Sequence, residues 1–378
     1  MKTTGDFLFL ESFFGGSHRD FARGLIEHSR HHFELFTLPA RFWKWRMRGA
    51  ALYFSRRVAA PEKYDGLIVT DLMSLADLKA LWGPACPPAL LYFHENQLSY
   101  PLAPGESMDY QFGFTDITSA LSAERILFNS RTHYQAFFDR LPRFLNMMPE
   151  KVPRWAVREI RARAGVLYPG CRFEPASGIA ARRGRPQEPP LIIWNHRWEF
   201  DKDPAAFFAA LDELVRRGVA FRLCLLGESH QIVPKEFLAA RERLGERIVH
   251  YGYVPGKKSY SSWLEQGDIV VSTARQENFG IAVVEAVRRG CTPLLPRRLS
   301  YPEIIPEELH ADFLYGDHEK LADRLEAMLA MRAAGDAELL EKTARLTLAM
   351  NRYAWKAMIP AYDEELASLM GKRAHRRS

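Results

Sequence analysis

Short apolar runs alternate with longer amphipathic segments throughout this 378-residue chain, and this alternation constrains its fold more than any other feature. The runs are rich in β-branched and aromatic residues, so they predict strands that are buried on both faces. Strands that alternate with helices form parallel sheets covered by helices. The predicted strands are 7–10, 33–37, 66–70, 89–93 and 125–129 in the first half, and 191–194, 221–226, 248–251, 269–272 and 292–295 in the second.

A segment with no periodic apolar face separates these two sets of strands. Residues 173–190 are rich in Pro, Gly and Arg, a composition typical of a linker. We therefore predict an α/β protein with two Rossmann-like domains, at 1–175 and 188–354. Ligands of open α/β sheets bind at the carboxyl ends of the strands, so we expect the two domains to face each other across a cleft that holds the active site.

Composition excludes several classes of protein. The sequence has no run of about twenty apolar residues and no signal peptide at its N-terminus, so we expect a cytoplasmic protein without stable membrane insertion. The four cysteines are scattered and form no Cys-x-x-Cys pair, which argues against structural zinc and a disulfide framework. Cys224 and Cys291 lie in apolar runs, where a free thiol behaves as a small core residue.

The charge distribution indicates an anionic partner. The formal net charge is +6 and the sequence pI is near 9.1, which fits nucleic acid, anionic lipid or a nucleotide-sugar. Cations interleave with aromatic residues in segments 41–57 and 140–163, a mixture that can grip phosphates and stack on unpaired bases. Amphipathic helices with buried aromatics and solvated arginines would show the same pattern. The candidate RNA-binding residues are Arg46, Arg48, Arg154 and Arg158.

Two carboxylates lie on either side of a predicted helix start. Glu277 follows the strand 269–272, and Glu285 lies eight residues later (285 − 277 = 8) inside a helix predicted from Gly280 and ended by Gly290. The segment between them carries Asn278, and the backbone amides of Phe279, Gly280 and Ile281 have no partners within the helix. A helix start with free amides suits a diphosphate group.

Other polar residues follow predicted strands in the same way. Gly15 and Gly16 lie between the first strand and a helix, where they either let a ligand approach the backbone or simply form a turn. His94 and Asn129 end the fourth and fifth strands, as ligand-binding residues or as hydrogen-bonded residues of the core. The cations Arg197 and Lys202 follow the strand 191–194, on a loop that we expect to be exposed.

The spacing of Glu277 and Glu285 resembles the Glu-x7-Glu motif of retaining GT-B glycosyltransferases, especially glycosyltransferase family 4. Four strings together resemble the tRNA-queuosine α-mannosyltransferase family: Glu-Ser-Phe-Phe-Gly-Gly-Ser-His at 11–18, Phe-His-Glu-Asn-Gln at 93–97, Trp-Asn-His-Arg-Trp-Glu at 194–199 and Gln-Glu-Asn-Phe-Gly-Ile at 276–281. The ending at 351–362 resembles the closing segment of family 4 enzymes, whose last helix, here 355–378, crosses back onto the N-terminal domain. Asn195-His196 departs from the glycine of most relatives.

The resemblance implies GDP-mannose as donor and the cyclopentenediol of queuosine in a tRNA anticodon as acceptor. It implies that Glu277 binds sugar hydroxyls, Glu285 the ribose, and Arg197 and Lys202 the diphosphate, while His94 approaches the donor sugar. The glycine-rich loop of the family corresponds to Gly15 and Gly16, and Tyr253 begins the loop around the base. Asn129 and the segment 278–281 complete the donor-binding candidates.

The sequence leaves two alternatives and one question open. No nucleophilic Ser or Cys constellation and no Asp-x-Asp metal motif stands in a suitable loop, so we expect transfer without a metal or other cofactor. One alternative is a family 4 enzyme that acts on a lipid or glycan at the cytoplasmic membrane face. The other is a catalytically silent RNA-binding protein, against which the presence of Arg197, Lys202, Glu277 and Glu285 speaks. The oligomeric state is open.

Overall fold

The computed structural model describes residues 4–102, 105–173, 188–227, 233–316 and 320–377. They form two compact units: an N-terminal unit, Met1–Arg172 with Tyr353–Ser378, and a C-terminal unit, Phe173–Arg352. Most of the segment interpreted as a linker lies outside the described residues. Within the described residues, no helix has both the length and the apolar composition needed to cross a bilayer.

The N-terminal unit alternates strands and helices. Its elements are β1 (Asp6–Phe14), α1 (Gly16–His28), β2 (His32–Pro39), α2 (Trp43–Arg57), β3 (Gly66–Thr70), α3 (Leu75–Trp82), β4 (Ala89–Phe93), α4 (Tyr110–Ser122), β5 (Arg125–Phe128), α5 (Arg131–Leu145), α6 (Trp155–Arg161) and β6 (Ala164–Val166). All strand pairs are parallel, in the order β2-β1-β3-β4-β5-β6. Each of the five strands predicted in this half is confirmed.

Alternate residues of these strands pack into two separate apolar clusters. Leu8, Val69 and Leu91 belong to one cluster, whereas Phe9 and Ile68 belong to the other. Successive side chains of a strand point to opposite faces, so each cluster lies on one face of the sheet. Burial on both faces explains why the strands are continuously apolar rather than alternating.

The C-terminal unit repeats this plan with a different strand order. Its elements are β7 (Leu191–Trp194), α7 (Pro204–Arg216), β8 (Arg222–Leu226), α8 (Lys235–Leu244), β9 (Ile248–Gly252), α9 (Lys257–Gln266), β10 (Ile269–Val271), α10 (Ile281–Arg288), β11 (Thr292–Pro296), α11 (Tyr301–Ile304), α12 (His310–Phe313), β12 (Leu314–Tyr315), α13 (Leu321–Ala334) and α14 (Ala337–Ala349). The order β12-β11-β10-β7-β8-β9 is all parallel. It corresponds to the Rossmann order 3-2-1-4-5-6 read from the other edge.

Two strands that the sequence pattern did not predict, β6 and β12, are the edge strands of their sheets. They have three and two residues, too few for an apolar run to stand out from its surroundings. The cysteine interpretation is confirmed, because Cys224 and Cys291 are buried free thiols, as are Cys86 and Cys171.

The last helix, α15 (Trp355–Arg377), belongs to the N-terminal unit. Its first residue, Trp355, is 2% exposed and packs against Phe21, His28 and Tyr362. Further along the helix, Glu365 accepts hydrogen bonds from Nε and Nη2 of Arg125 at 2.7 and 2.6 Å. An aromatic anchor and an ion pair therefore fix α15 to the sheet of the N-terminal unit.

Candidate active site

The strand orders place one topological switch point in each sheet. The chain leaves β1 toward β2 on one side and later adds β3 on the other, so the switch point of the N-terminal unit lies between β1 and β3. In the C-terminal unit it lies between β7 and β10. Ligands of doubly wound sheets bind at the carboxyl ends of the strands at such points. Each unit therefore has its own candidate site among the residues that follow these strands.

In the C-terminal unit, Lys202 links the ends of β7 and β10. Its Nζ lies 3.1 Å from a carboxylate oxygen of Asp201 and 3.3 Å from one of Glu277, and it donates to the carbonyl oxygen of Gln276 at 2.6 Å. Lys202 is 7% exposed. The prediction of an exposed lysine is wrong, because the loop folds back beneath the segment that follows β10: the amide of Arg275 donates to the carbonyl of Asp201 at 2.8 Å.

This ion pair sets the charge state of both partners. Burial alone would lower the pKa of Lys202, but the charges of Glu277 and Asp201 outweigh it and raise the pKa. Burial would raise the pKa of Glu277, but the neighbouring Lys202 lowers it. Both groups are therefore charged at neutral pH. A sugar or phosphate that enters this site would meet a cation already oriented by two carboxylates.

The residues directly after β7 have different surroundings. The side chain of Arg197 is 47% exposed, and its Nη1 lies 3.3 Å from Glu199, so it matches the expected exposed cation. His196 is buried, and burial together with the charge of Lys202 lowers its pKa to about 4, despite opposing effects of Glu277 and Asp201. The Nδ2 of Asn195 donates to the Ala282 carbonyl at 2.7 Å. This bond ties the loop to the first turn of α10.

The start of α10 has the predicted form. Gly280 precedes the helix with φ of 93°, and a side chain there would meet Ile304 Cδ1 at 3.1 Å and Tyr301 Cε1 at 3.3 Å. Both the positive φ and the close packing require glycine. Ile281 is the first residue of the helix, while the carbonyl of Phe279 accepts a 2.8 Å bond from Ser300. The Oδ1 of Asn278 accepts one from Gln276 at 2.9 Å.

Glu285 forms an ion pair with a second lysine, on a different helix. Lys257, at the start of α9, places Nζ 3.1 Å from Oε1 of Glu285. The hydroxyl of Tyr260, one turn along α9, accepts a 2.9 Å bond from Asn195 Nδ2, and burial together with the charge of Glu285 raises the pKa of Tyr260 well above its ordinary value. Tyr253, the candidate base contact, follows β9 and is 58% exposed. The two predicted glutamates thus each have a lysine partner on a different element.

In the N-terminal unit, a carboxylate is buried within the strand β1. Glu11 is fully buried, accepts hydrogen bonds from the Phe13 amide at 2.8 Å and the Thr70 hydroxyl at 3.1 Å, and contacts His18 Nδ1 at 3.3 Å. Burial by itself lowers the pKa of His18, but the charge and hydrogen bond of Glu11, with the charges of Asp71 and Glu95, raise it to about 9. His18 is therefore a buried cation at neutral pH.

His94 stacks on this pair at the end of β4. Its ring centroid lies 4.0 Å from that of His18, and its amide donates to Asp71 Oδ1 at 2.8 Å. Burial, together with the charges of His18 and His133, lowers the pKa of His94 well below its usual value, so the ring is neutral. Asn129 holds the same turn, because its Nδ2 donates to the His94 carbonyl at 2.9 Å. A neutral imidazole can donate or accept one hydrogen bond with a substrate hydroxyl.

Glu11, His18 and His94 also have the donor types of a metal site. One ligand atom of each lies within 4.8 Å of the others, and imidazole and carboxylate are ligands that zinc and related metals use. The proton that Glu11 keeps on His18 competes with such a metal, because a ligating histidine must be neutral. Metal-independent transfer therefore stays a prediction.

Gly15 and Gly16 lie at the start of α1 as predicted. Gly15 is extended, and a side chain there would lie 2.4 Å from Cβ of Ala40. Gly16 has φ of 48°, and a Cβ added to it would have no neighbour within 4 Å. Glycine is thus required at 15 by packing and at 16 by backbone conformation, and the space above Gly16 is open.

The four candidate RNA-binding arginines fall into two groups. Arg46 donates to the Pro39 carbonyl at 3.3 Å and Arg48 Nη1 donates to Thr115 Oγ1 at 3.1 Å, at the start of α2 and hence near the carboxyl end of β2. Arg154 immediately precedes α6 and Arg158 lies within it, and α6 leads into the amino end of β6. Because all strands are parallel, Arg46 and Arg48 lie toward the carboxyl ends of the strands, whereas the chain that carries Arg154 and Arg158 enters β6 at its amino end.

Several residues of these clusters were not predicted as site residues: Glu11, His18, Asp71, Asp201 and Lys257. Glu11 carried a usable signal, since a carboxylate inside the apolar run of β1 must have a buried partner. Lys257 gave none, because a lysine at a helix start is ordinary surface. Its role depends on α9 packing beside α10.

The ion pair of His18 predicts a pH dependence of stability. The folded-state pKa of about 9 lies above the ordinary histidine value of 6.5, so its contribution is complete below pH 6.5 and is lost as the pH rises toward 9. We expect the free energy of unfolding to fall by about 3 kcal/mol over this window. Denaturant titrations of the wild type and His18→Gln at pH 6.5 and 9 check this, because the variant should lose that part of the decrease. Parallel pH profiles of the two proteins would contradict it.

Comparison with known proteins matches both units. Residues 6–171 match the family model described as the tRNA-queuosine alpha-mannosyltransferase N-terminal domain, and residues 179–347 match glycosyl transferases group 1. The tRNA-queuosine alpha-mannosyltransferase of Drosophila melanogaster is 38% identical over 309 residues, which cover 80% of this chain and 82% of that protein. A GDP-mannose:cellobiosyl-diphosphopolyprenol alpha-mannosyltransferase of Xanthomonas oryzae is 27% identical over 182 residues, covering 48% of this chain and 47% of the relative.

Solved structures share the fold. Sucrose-phosphate synthase from Thermosynechococcus elongatus gives a TM-score of 0.73 at 14% identity, covering 97% of this chain and 100% of that chain. HepE from Anabaena, solved in complex with UDP-glucose, gives 0.68 at 15% identity, covering 96% and 100%. These likenesses confirm the two-domain α/β fold. Together with the family models and the Drosophila relative, they show that the chain is a GT-B glycosyltransferase that belongs to the tRNA-queuosine alpha-mannosyltransferase family.

Proposed function

We propose that this glycosyltransferase moves mannose, with retention of configuration, from GDP-mannose to the cyclopentenediol of queuosine in a tRNA anticodon, in the cytoplasm. The observation that carries the proposal is the Drosophila relative, which is similar over most of the chain. The name of the Xanthomonas relative specifies GDP-mannose as the donor of a second, more distant enzyme.

The C-terminal unit supplies groups for a nucleotide-sugar. Arg197 is exposed enough to meet a diphosphate, and Lys202 adds a second cation between Asp201 and Glu277. As the glycosidic bond breaks, negative charge grows on the leaving diphosphate, and fixed cations and amides stabilise that charge. In the proposal Glu277 binds sugar hydroxyls and Glu285 the ribose.

The N-terminal unit supplies groups for a polar acceptor. The neutral ring of His94 is held by His18 and by backbone contacts to Asp71 and Asn129. It is suited to hydrogen-bond a hydroxyl, of the donor sugar as the family resemblance implies or of the acceptor, rather than to carry charge.

The donor is tested by thermal unfolding with nucleotides. A ligand that binds only the folded protein stabilises it by mass action, about 2.7 kcal/mol at a hundred times its Kd. We expect GDP to raise the melting temperature by several degrees more than UDP or ADP at equal concentration. Equal shifts for the three nucleotides would count against GDP-mannose.

The acceptor is tested with matched tRNA that carries or lacks queuosine. Incubation with GDP-mannose should add one hexose, seen by mass spectrometry, only to the tRNA with queuosine, and EDTA should leave the reaction intact. Transfer to both tRNAs, or to neither while a lipid extract is labelled, would refute the proposed acceptor. Loss of transfer in EDTA, restored by one added metal, would refute the metal-independent reaction.

A further inference from the structure

The start of α2 carries two aromatic side chains that the protein does not bury. Phe42 is 68% exposed and Trp45 is 77% exposed, and both are flanked by exposed cations, Arg41 and Lys44. Arg41 lies 5.7 Å from the centroid of the Phe42 ring. We call these four residues the α2 surface. The opposite face of α2 is an ordinary core face, since Met47, Ala50, Ala51 and Phe54 are buried.

The backbone at Phe42 is unusual. Its φ of 56° and ψ of 51° lie in the left-handed region, which costs a non-glycine residue roughly 1 kcal/mol. The carbonyl of Phe42 accepts the first bonds of α2, from Trp45 and Arg46 at 2.9 and 3.1 Å. Phe42 thus holds a strained conformation at a helix start, where its ring gains little burial in return.

The charged side chains in the segment around the α2 surface are all lysines and arginines. Residues 35–61 contain six Lys or Arg residues and no Asp or Glu, so no carboxylate of the segment neutralises the α2 surface. Segment 140–163 differs, because Glu150 and Glu159 interrupt its cations. Arg46 and Arg48 also differ from Arg41 and Lys44, since they bond to Pro39 and Thr115 within the protein.

The α2 surface is joined through a small apolar cluster to Glu11, His18, Asp71 and His94, which we call the His94 cluster. The ring of Trp43 packs at a tilt against that of Phe112, with centroids 5.1 Å apart, and Trp43 and Phe13 both pack on Met47 and Leu72. Leu72 directly follows Asp71, and Phe13 is the residue whose amide binds Glu11. The α2 surface and the His94 cluster therefore both lie at the carboxyl ends of the strands of the N-terminal unit.

We propose that the α2 surface binds the single-stranded anticodon loop of the tRNA, with Phe42 and Trp45 stacking on unpaired bases and Arg41 and Lys44 contacting phosphates. This inference rests on the proposed function. Stacking on an aromatic ring contributes about 1–3 kcal/mol per base and accepts any base. A base held on the α2 surface lies at the carboxyl ends of the strands, as does His94 after β4.

The geometry favours RNA over a lipid surface. A helix that binds a membrane presents a continuous apolar face to the bilayer. The exposed face of α2 carries Leu52 (62% exposed) and Tyr53 (49% exposed) as well as Phe42 and Trp45, but it also carries the exposed cations Arg48 and Arg56. The exposed rings instead alternate with cations, at Arg41, Phe42, Lys44 and Trp45. Single-stranded nucleic acid offers phosphates and ring faces at a similar alternation.

The test uses the variant Phe42→Gly/Trp45→Ala. Glycine adopts the left-handed backbone without strain, and both side chains are exposed, so the variant should fold. We expect its affinity for queuosine-containing tRNA to fall at least about fivefold for each ring lost, with the GDP-induced thermal shift unchanged. The KM for tRNA should rise in the transfer assay.

The cations are tested separately with Arg41→Gln/Lys44→Gln. In this variant, the slope of log affinity against log salt should decrease by about one per cation.

Trp155→Ala is the matched control, since Trp155 is the 55% exposed first residue of α6 in segment 140–163, to which this inference assigns no contact with the anticodon loop. It should bind tRNA like the wild type. Unchanged affinity of Phe42→Gly/Trp45→Ala, or an equal loss in Trp155→Ala, would overturn the inference while wild-type transfer to queuosine still supports the proposed function. Binding of wild type, but not of the variant, to vesicles with anionic lipid would assign the surface to membranes. Failure of the wild type to transfer to any tRNA would instead refute the function itself.

Discussion

Arg197→Ala should lower kcat/KM for mannosyl transfer by about a hundredfold while leaving stability almost unchanged. The guanidinium is half-exposed and its ion pair with Glu199 is of a kind that contributes at most about 1 kcal/mol. Its expected catalytic effect is that of one preorganised donor on developing charge, on the order of a hundredfold or more. Steady-state kinetics and thermal unfolding of the same preparation check both parts.

Lys202→Met should lose activity and stability together. Removing the ammonium leaves Asp201 and Glu277, which both contact it, as carboxylates without their cation in a largely buried site, a change that costs about 3–5 kcal/mol. The double variant Lys202→Met/Glu277→Gln should regain part of the stability but no activity. Lys258→Met, an exposed lysine on α9, is the control and should change neither. A stable Lys202→Met, or a folded Arg197→Ala with normal turnover, would remove the respective residue from its assigned role.

Gly24→Ala should destabilise the protein although it lies in a helix, where alanine is normally favoured by about 1 kcal/mol. A Cβ at Gly24 would lie 1.9 Å from Nε1 of Trp355, and one at Gly170 would lie 2.2 Å from Cδ2 of the same ring. The indole is fixed between two glycines by its aromatic neighbours, so it cannot move away cheaply. We expect a loss of about 1–3 kcal/mol or more from overpacking, and easier proteolysis of α15.

Gly49→Ala provides the control for this prediction. Gly49 is interior to α2 and has nothing within 4 Å of a Cβ position, so alanine there should stabilise the protein by up to about 1 kcal/mol. Denaturant unfolding of both variants should therefore give opposite signs. A loss of the same size in both would show that packing on Trp355 is not the cause. The smaller ring in Gly24→Ala/Trp355→Phe should recover part of the loss.

The fold could be predicted because its signal is local. Eight of the ten predicted strands are buried apolar runs of four to six residues, and the other two, β2 and β9, are partly exposed edge strands. Parallel sheets follow from the alternation of these strands with helices. Edge strands β6 and β12 escaped detection because two or three residues carry no period. The start of α10 could also be predicted, since Gly280 follows an apolar strand and directly precedes the helical segment in the sequence.

The sequence by itself determined the two α/β domains, the carboxylates that flank the start of α10 and the family resemblance. Only the tertiary structure decided which charges meet: Lys202 with Asp201 and Glu277, Lys257 with Glu285, and His18 between Glu11 and His94. It also placed Arg46 and Arg48 near the carboxyl end of β2, and Arg154 and Arg158 on the segment that leads into the amino end of β6. Such pairings depend on strand order and burial, which join residues distant in sequence, whereas periodicity reports only on neighbours along the chain. Burial and neighbouring charges together then set the direction of the pKa shifts of Lys202, Glu277, His18 and His94, because the cost of removing a charge from water and the partners that offset this cost depend on the surrounding fold.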